Sequence, residues 1–201
     1  MERDVRLLGL SGTNGSGKDS LGGILAERYS YWFISVTELL REECKKRGLP
    51  IERENLRTIS AEWRRLYGGG VLVDKAIEAY KARRLAGESY NGLVMASLRN
   101  PIEADRLHEL GGRLVWVDAD PRIRYARIQK NAASRGRIEE DSKTFEQFLA
   151  EEQAEMHPPQ GADAAVLNMA AVKQRADITI LNDTGDLETF AADAAKMLGL
   201  A

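Results

Sequence analysis

Cysteine is nearly absent from this chain: Cys44 is the single one in 201 residues. One thiol excludes an internal disulfide and fits a reducing, cytoplasmic setting. Placed among charged residues in a helical stretch, it reads as a spectator. Histidine is almost as scarce. His108 lies amid Asp105, Arg106 and Glu109, His157 precedes two prolines, and neither has a partner constellation. Neither a Cys/His zinc cluster nor a Ser/His or Cys/His nucleophile is therefore expected. Charge of one sign is lacking too. Against 31 Asp and Glu stand 29 Lys and Arg, and a formal net charge of −2 offers no general reason to expect nucleic acid as a partner. No apolar run approaches the ~20 residues of a membrane span, and Met1-Glu2-Arg3-Asp4 begins no signal peptide. Without an internal repeat or a low-complexity linker, the chain reads as one domain over 1–201, large enough for a substantial core.

What is present is organised around Gly12-Thr13-Asn14-Gly15-Ser16-Gly17-Lys18. An apolar run precedes it (Val5, Leu7, Leu8, Leu10) and a helical pattern follows (Leu21, Ile24, Leu25, Tyr29). Strand, glycine-rich turn and helix start are the context in which G-x-x-x-x-G-K binds phosphate. Gly15 and Gly17 allow successive N–H groups to turn inward, and the positive end of the next helix adds to the anion site. Lys18 supplies a mobile charge for the β- and γ-phosphates. The three fixed positions match by chance on the order of one time in twenty; the flanking strand and helix separate this stretch from a plain surface turn. The residue after the lysine is ordinarily Ser or Thr, a magnesium ligand, and here it is Asp19. A carboxylate is also a hard oxygen donor, so Asp19 reads as an altered metal ligand in preference to a mark of lost catalysis. Ser20 completes the nucleotide-binding candidates, although about 100° round the helix it would miss the ion.

The remaining chain alternates strands and helices. After a helix over about 20–30 comes an apolar strand, Tyr31 to Ser35. A helix follows with Thr37 as its N-cap, ended by Gly48-Leu49-Pro50, and two more run over about 53–67 and 71–85. Three helices between consecutive strands are more than a crossover needs, and this excursion is a candidate substrate-binding lobe. Leu93–Leu98, Arg113–Asp118 and Asp177–Asn182 read as further strands, and Ala162–Arg175 as an alanine-rich helix. The polar segment from Asn131 to Glu146 reads as a mobile loop. The expected fold is α/β, a doubly wound, five-stranded parallel sheet in a three-layer sandwich. Its ligand edge lies beyond the strands' carboxyl ends, where the loop, Thr37, Arg99 and Asn182 all fall. Arg99, directly after an apolar strand, suits an anionic group. Arg41 stands one turn after Thr37 and reads either as an acceptor contact or as a solvated arginine among Glu38, Glu42 and Glu43. Arg135 and Arg137 flank Gly136 and read either as a lid that closes over a triphosphate or as a basic turn. Trp32, Trp63 and Trp116 read as packing residues.

On these residues the chain resembles, almost end to end, the nucleoside-monophosphate-kinase-like group of P-loop kinases. Ile34-Ser35-Val36-Thr37-Glu38-Leu39-Leu40-Arg41 is similar to the opening of the monophosphate-binding lobe of adenylate kinases. Leu98-Arg99-Asn100-Pro101-Ile102-Glu103 resembles a signature of uncharacterised archaeal proteins akin to adenylate and dephospho-CoA kinases. The close, Ala176-Asp177-Ile178-Thr179-Ile180-Leu181-Asn182-Asp183, is similar to that group's loop near the adenine. The resemblance implies ATP and Mg²⁺ as cofactors, a lobe over about 37–89, and a lid over about 129–145. It implies Lys18, Arg99, Arg135 and Arg137 as catalytic residues, Thr37, Arg41 and Arg99 as acceptor contacts, and residues 12–20 with Asn182 on the nucleotide. Two departures stand out: Asp19 itself, and Ala96 and Ser97 where the archaeal pattern carries an acid that helps hold Mg²⁺. Asp19 is expected to take over that carboxylate's role. The expected activity is phosphoryl transfer from ATP to a small phosphorylated acceptor, most simply a nucleoside or deoxynucleoside monophosphate. Two alternatives remain open: a hydroxyl acceptor, as in dephospho-CoA kinase, and an ATP-binding regulator without catalysis. Oligomeric state is left open.

Overall fold

The computed structural model describes residues 6–131 and 143–200. Five strands, β1 (Arg6–Ser11), β2 (Tyr31–Ser35), β3 (Gly92–Ala96), β4 (Arg113–Asp118) and β5 (Ile178–Leu181), form one sheet in the order β2-β3-β1-β4-β5. Every pairing is parallel, so helices must cover both faces. The helices are α1 (Lys18–Tyr29), α2 (Val36–Lys46), α3 (Arg53–Tyr67), α4 (Val71–Leu85), α5 (Pro101–Glu109), α6 (Pro121–Asn131), α7 (Phe145–Met156), α8 (Met169–Gln174) and α9 (Leu187–Leu198).

Strand periodicity divides the core. Leu93, Met95, Leu114 and Trp116 point to one face and pack with Leu40 of α2, Trp63 of α3, Leu72 of α4 and Leu107 of α5. Their neighbours Val94, Ala96, Val115 and Val117 point to the other face, against Leu21 and Leu25 of α1 and Phe190 of α9. Each large side chain so removed from water contributes roughly 1.5–3 kcal/mol, which is why β3 and β4 read as unbroken apolar runs. The order places β1 between β3 and β4, where the chain departs in opposite directions. That crevice, past the carboxyl end of β1, is where such sheets bind ligands.

Several local expectations change. Thr37 does not cap α2: the helix begins at Val36, its N-cap is Ser35, and no side chain closes it. Of the expected helix over 162–175, only Met169–Gln174 forms. The carbonyls of Ala164, Ala165 and Val166 instead accept from Asn100 and Arg64, and so are taken from any helical ladder. Cys44 is fully buried among apolar side chains. His108 does have a partner, since its Nε2 stands 2.9 Å from Asp177 Oδ2, which also accepts from the Leu114 amide. Trp63 and Trp116 are buried, and Trp32 stacks on Tyr80 at 6.1 Å between ring centroids. Arg135 and Arg137 lie outside the described residues.

Candidate active site

The loop after β1 is a backbone cradle. Gly12, Gly15 and Gly17 have φ of 145°, 79° and 100°. A Cβ on Gly12 would stand 2.2 Å from the Val117 carbonyl oxygen, and one on Gly17 would stand 2.3 Å from Asn182 Nδ2. Both positions need glycine for conformation and for space. α1 starts at Lys18 immediately after Gly17, which aims the amides of its first turn at the loop. Lys18 is only 5% exposed, with Nζ 3.6 Å from Asp19 Oδ2. The hydroxyls of Thr13 and Ser16 are buried without a hydrogen-bond partner among the described residues. Polar atoms buried in this way carry a desolvation cost that an anionic ligand would relieve. The cradle, the helix start, the lysine and the two hydroxyls fit a phosphate group.

Two side chains hold that loop from below. Asn182, beyond β5, donates from Nδ2 to the Ser16 carbonyl at 2.9 Å, and Arg127 donates to the Asn182 carbonyl at 2.8 Å. The buried Arg124 of α6 donates to the Ala119 carbonyl at 2.8 Å and to the Asn14 carbonyl at 3.4 Å, while Glu152 of α7 neutralises it. Asn182 thus acts on the loop rather than lining the cleft beside it.

That cleft has a volume of about 1380 Å³ and runs from Asn14, Lys18 and Asp19 to the helices α2 and α3. Thr37, Arg41 and Arg99 all line it with the phosphate loop. Arg41 Nη1 is 3.2 Å from Glu38 Oε1, and its Nε is buried without a partner among the described residues. Asp19 presents an exposed carboxylate to the cleft, whereas Ser20 is exposed and lines none of it. Where the missing acid would be expected, Ala96 is fully buried and Ser97 takes a left-handed φ of 72°. The Ser97 hydroxyl lies 3.4 Å from that of Ser35, and both side chains belong to the cleft wall. Among the described residues, no three His, Cys, Asp or Glu side chains gather as a metal group. A metal ion here would therefore draw on Asp19, the serine hydroxyls and the phosphates themselves.

The Leu98–Glu103 stretch is mostly scaffold. Asn100 caps α5, accepting from the Ile102 amide at 2.9 Å, with Pro101 at the first helical position. Glu103 Oε2 accepts from the Arg99 and Asn100 amides at 2.8 and 3.1 Å, while its Oε1 accepts from Arg64 at 2.6 Å inside the core. The result is a fixed backbone from which only Arg99 reaches the cleft. There Arg99 Nη1 donates to Glu155 Oε2 at 3.0 Å. Glu155 was invisible in the sequence, as were Arg53 and Arg57, which share its other oxygen at 3.9 and 3.2 Å. Burial pushes the Glu155 carboxyl up, but Arg99, Arg53 and Arg57 more than reverse this and hold it below its ordinary value.

The sequence pattern of the AAA domain family matches residues 8–149, from β1 into α7. The chain belongs to that family. It is similar to a UPF0200 protein of Methanococcus maripaludis, 24% identical over 183 residues that cover 89% of this chain and 93% of that one. A UPF0200 protein of Pyrococcus abyssi is 28% identical over 178 residues, covering 87% and 86%. Among solved structures, shikimate kinase from Bacteroides thetaiotaomicron superposes with a TM-score of 0.58 at 14% identity, covering 98% and 99% of the two chains. The protein TT1252 of Thermus thermophilus superposes at 0.56 with 19% identity and 98% coverage of both. Fold and family together make this a P-loop kinase-like protein, with a five-stranded parallel sheet covered by helices on both faces.

Proposed function

We propose that this chain is an ATP-dependent phosphotransferase acting on a small phosphorylated acceptor, with nucleoside and deoxynucleoside monophosphates as the first class. The observation that carries this reading is that one cleft joins a phosphate cradle with buried Lys18 to Arg41 and Arg99. Phosphoryl transfer needs positioning and charge rather than a protein nucleophile. Residues 12–18 and Lys18 would hold the β- and γ-phosphates, with Asn182 keeping the loop in shape. Thr37, Arg41 and Arg99 would hold the acceptor phosphate, and Arg135 and Arg137 would bring charge over the transferring group. On this reading, residues 1–201 are one kinase domain with an acceptor lobe over about 37–89 and a lid over about 129–145. Mg²⁺, when bound, neutralises charge between the β- and γ-phosphates. Asp19 would hold it directly or through water, in place of the acid absent at Ala96 and Ser97. No described helix is long and apolar enough to cross a membrane, and a cytoplasmic setting accords with the lone buried cysteine.

A second reading makes the acceptor a hydroxyl, supported by the shikimate kinase likeness in fold alone. One assay separates the two. ADP release from Mg·ATP is measured with a panel of ribo- and deoxynucleoside monophosphates, dephospho-CoA and shikimate. A single monophosphate is expected to stimulate turnover, and Lys18→Ala to lower it by at least about 10²–10³-fold. Asp19→Ala is expected to shift the magnesium dependence to higher concentration, and an unchanged dependence removes Asp19 from the metal. Tight ATP binding with no stimulated turnover across the panel leaves a nucleotide-binding regulator instead.

A further inference from the structure

Ser35 and Ser97 each stand where local structure would be better served by another arrangement. Elsewhere a short polar residue at a helix N-cap closes its helix. Asn100 caps α5, Thr144 α7, Asn168 α8 and Asp186 α9, each side chain accepting from an amide of the first turn. Ser35 has the same chemistry and, with φ −87° and ψ 126°, the extended backbone that a cap requires. Its hydroxyl nevertheless leaves the α2 amides alone. Ser97 is the second exception. Among the described residues, only Ser97 and Ser30 hold a side chain at a left-handed φ. Ser30 ends α1 in the ordinary left-handed manner. Ser97 follows a strand instead, at φ 72°, where glycine would be free of strain.

Neither departure is offset by the contact between the two. Their hydroxyls lie 3.4 Å apart, beyond the usual range of an O–H···O bond, and neither has another partner among the described residues. The turn accounts for the backbone of Ser97, whose amide donates to the Leu10 carbonyl at 2.9 Å on the way to Arg99. It does not account for the side chain, because glycine would make the same turn. Both serines line the cleft. In the sheet, β3 lies between β1 and β2. Ser97, just past β3, therefore falls between the phosphate loop and the start of α2, which carries Thr37 and Arg41. Two hydroxyl oxygens so spaced can each stand about 2.7 Å from one further oxygen.

We propose that Ser35 and Ser97 form a paired hydroxyl donor for one oxygen of the γ-phosphoryl group in transfer. The inference deepens the phosphotransferase reading and rests on it for the identity of that group.

The test is binding, which keeps it apart from the turnover assay. Isothermal titration compares AMP-PNP with ADP, both at saturating Mg²⁺. The unaltered protein should prefer AMP-PNP. Ser35→Ala and Ser97→Ala should each reduce that preference about three- to tenfold, the scale of one hydrogen bond, with ADP affinity unchanged. Ser97→Gly separates the hydroxyl from the turn. It should lose as much preference as Ser97→Ala yet melt at a higher temperature, because alanine keeps the strained φ. Should Ser97→Ala not fold, Ser97→Gly carries the same comparison. A preference absent from the unaltered protein, or unchanged in both alanine variants, overturns the proposal. So does an equal loss of AMP-PNP and ADP affinity, which would place the serines beneath the loop. A Mg²⁺ midpoint for AMP-PNP binding shifted by more than about threefold would assign the pair to the metal and overturns it too. Ser97→Gly melting below Ser97→Ala removes the strain from which the inference starts. An unchanged preference together with acceptor-stimulated ADP release would sink the hydroxyl pair and leave the kinase reading intact.

Discussion

The phosphate loop and the arginine wall of the cleft present charge by different means. In the loop the donors belong to the backbone, set by left-handed glycines and a helix start, with the buried Lys18 beside them. On the wall they are long side chains from α2, α3 and the β3–α5 turn, each already engaged with a glutamate. Backbone donors cost little to hold in place once the loop has formed, so the loop is preorganised. Guanidiniums on flexible stems lose rotamer freedom on ordering, and neighbouring carboxylates supply the restraint. The loop can be built by seven consecutive residues, whereas the wall needs three elements to converge.

The sharpest way to break the contrast is at the scaffold beneath the arginine wall. Glu103 is fully buried, neutralises the equally buried Arg64, and accepts the Arg99 amide. Glu103→Gln should leave Arg64 uncompensated in the core and cost about 3–5 kcal/mol of stability. Urea denaturation measures that loss, and a cost below about 1 kcal/mol would mean that water reaches the pair. In the loop, Gly17→Ala puts a Cβ where Asn182 Nδ2 stands and at a φ that alanine rarely adopts. It should cost roughly 1–3 kcal/mol and weaken nucleotide affinity, with acceptor binding measured alone unchanged. A loss of both affinities together would show that the loop and the wall are coupled through the sheet.

The smallest effect concerns pH. Glu155 is ionised more readily in the folded protein than its ordinary value of 4.5. Its contribution is therefore present above that value and is lost as pH falls through the lower folded value. Glu155→Gln should lower stability by about 1 kcal/mol near neutrality, with the gap closing below about pH 4.5. Thermal midpoints of both proteins across pH 3–7 measure this, and a gap that persists at the acid end would place its origin in packing.

How far each feature was legible follows from the range of its causes. The phosphate loop, the five parallel strands, and α3 and α4 could be read because each depends on neighbours in sequence: glycine spacing, apolar runs and helical periodicity. Arg99 could be read for the same reason, from its place after an apolar strand. The helix expected over 162–175 failed because Asn100 and Arg64, some sixty and a hundred residues away, take the carbonyls it would need. That Cys44 is a core residue could not be read from its charged sequence neighbours, because its side of α2 faces the core only once the helices pack. Glu155 shares its helix with Glu146 and Glu151, and nothing local in the sequence separates it from them.

By itself, then, the sequence determined the element order, the parallel sheet and a phosphate cradle beyond β1. These rest on dihedral preferences and apolar periodicity, which act over a few residues. Tertiary structure alone decided which arginines share a carboxylate, that Asn182 props the phosphate loop, and how the cleft's arginine wall is charged. Those outcomes depend on Coulomb interactions and hydrogen bonds between side chains that only the packing of α3, α7 and the sheet edge brings within reach.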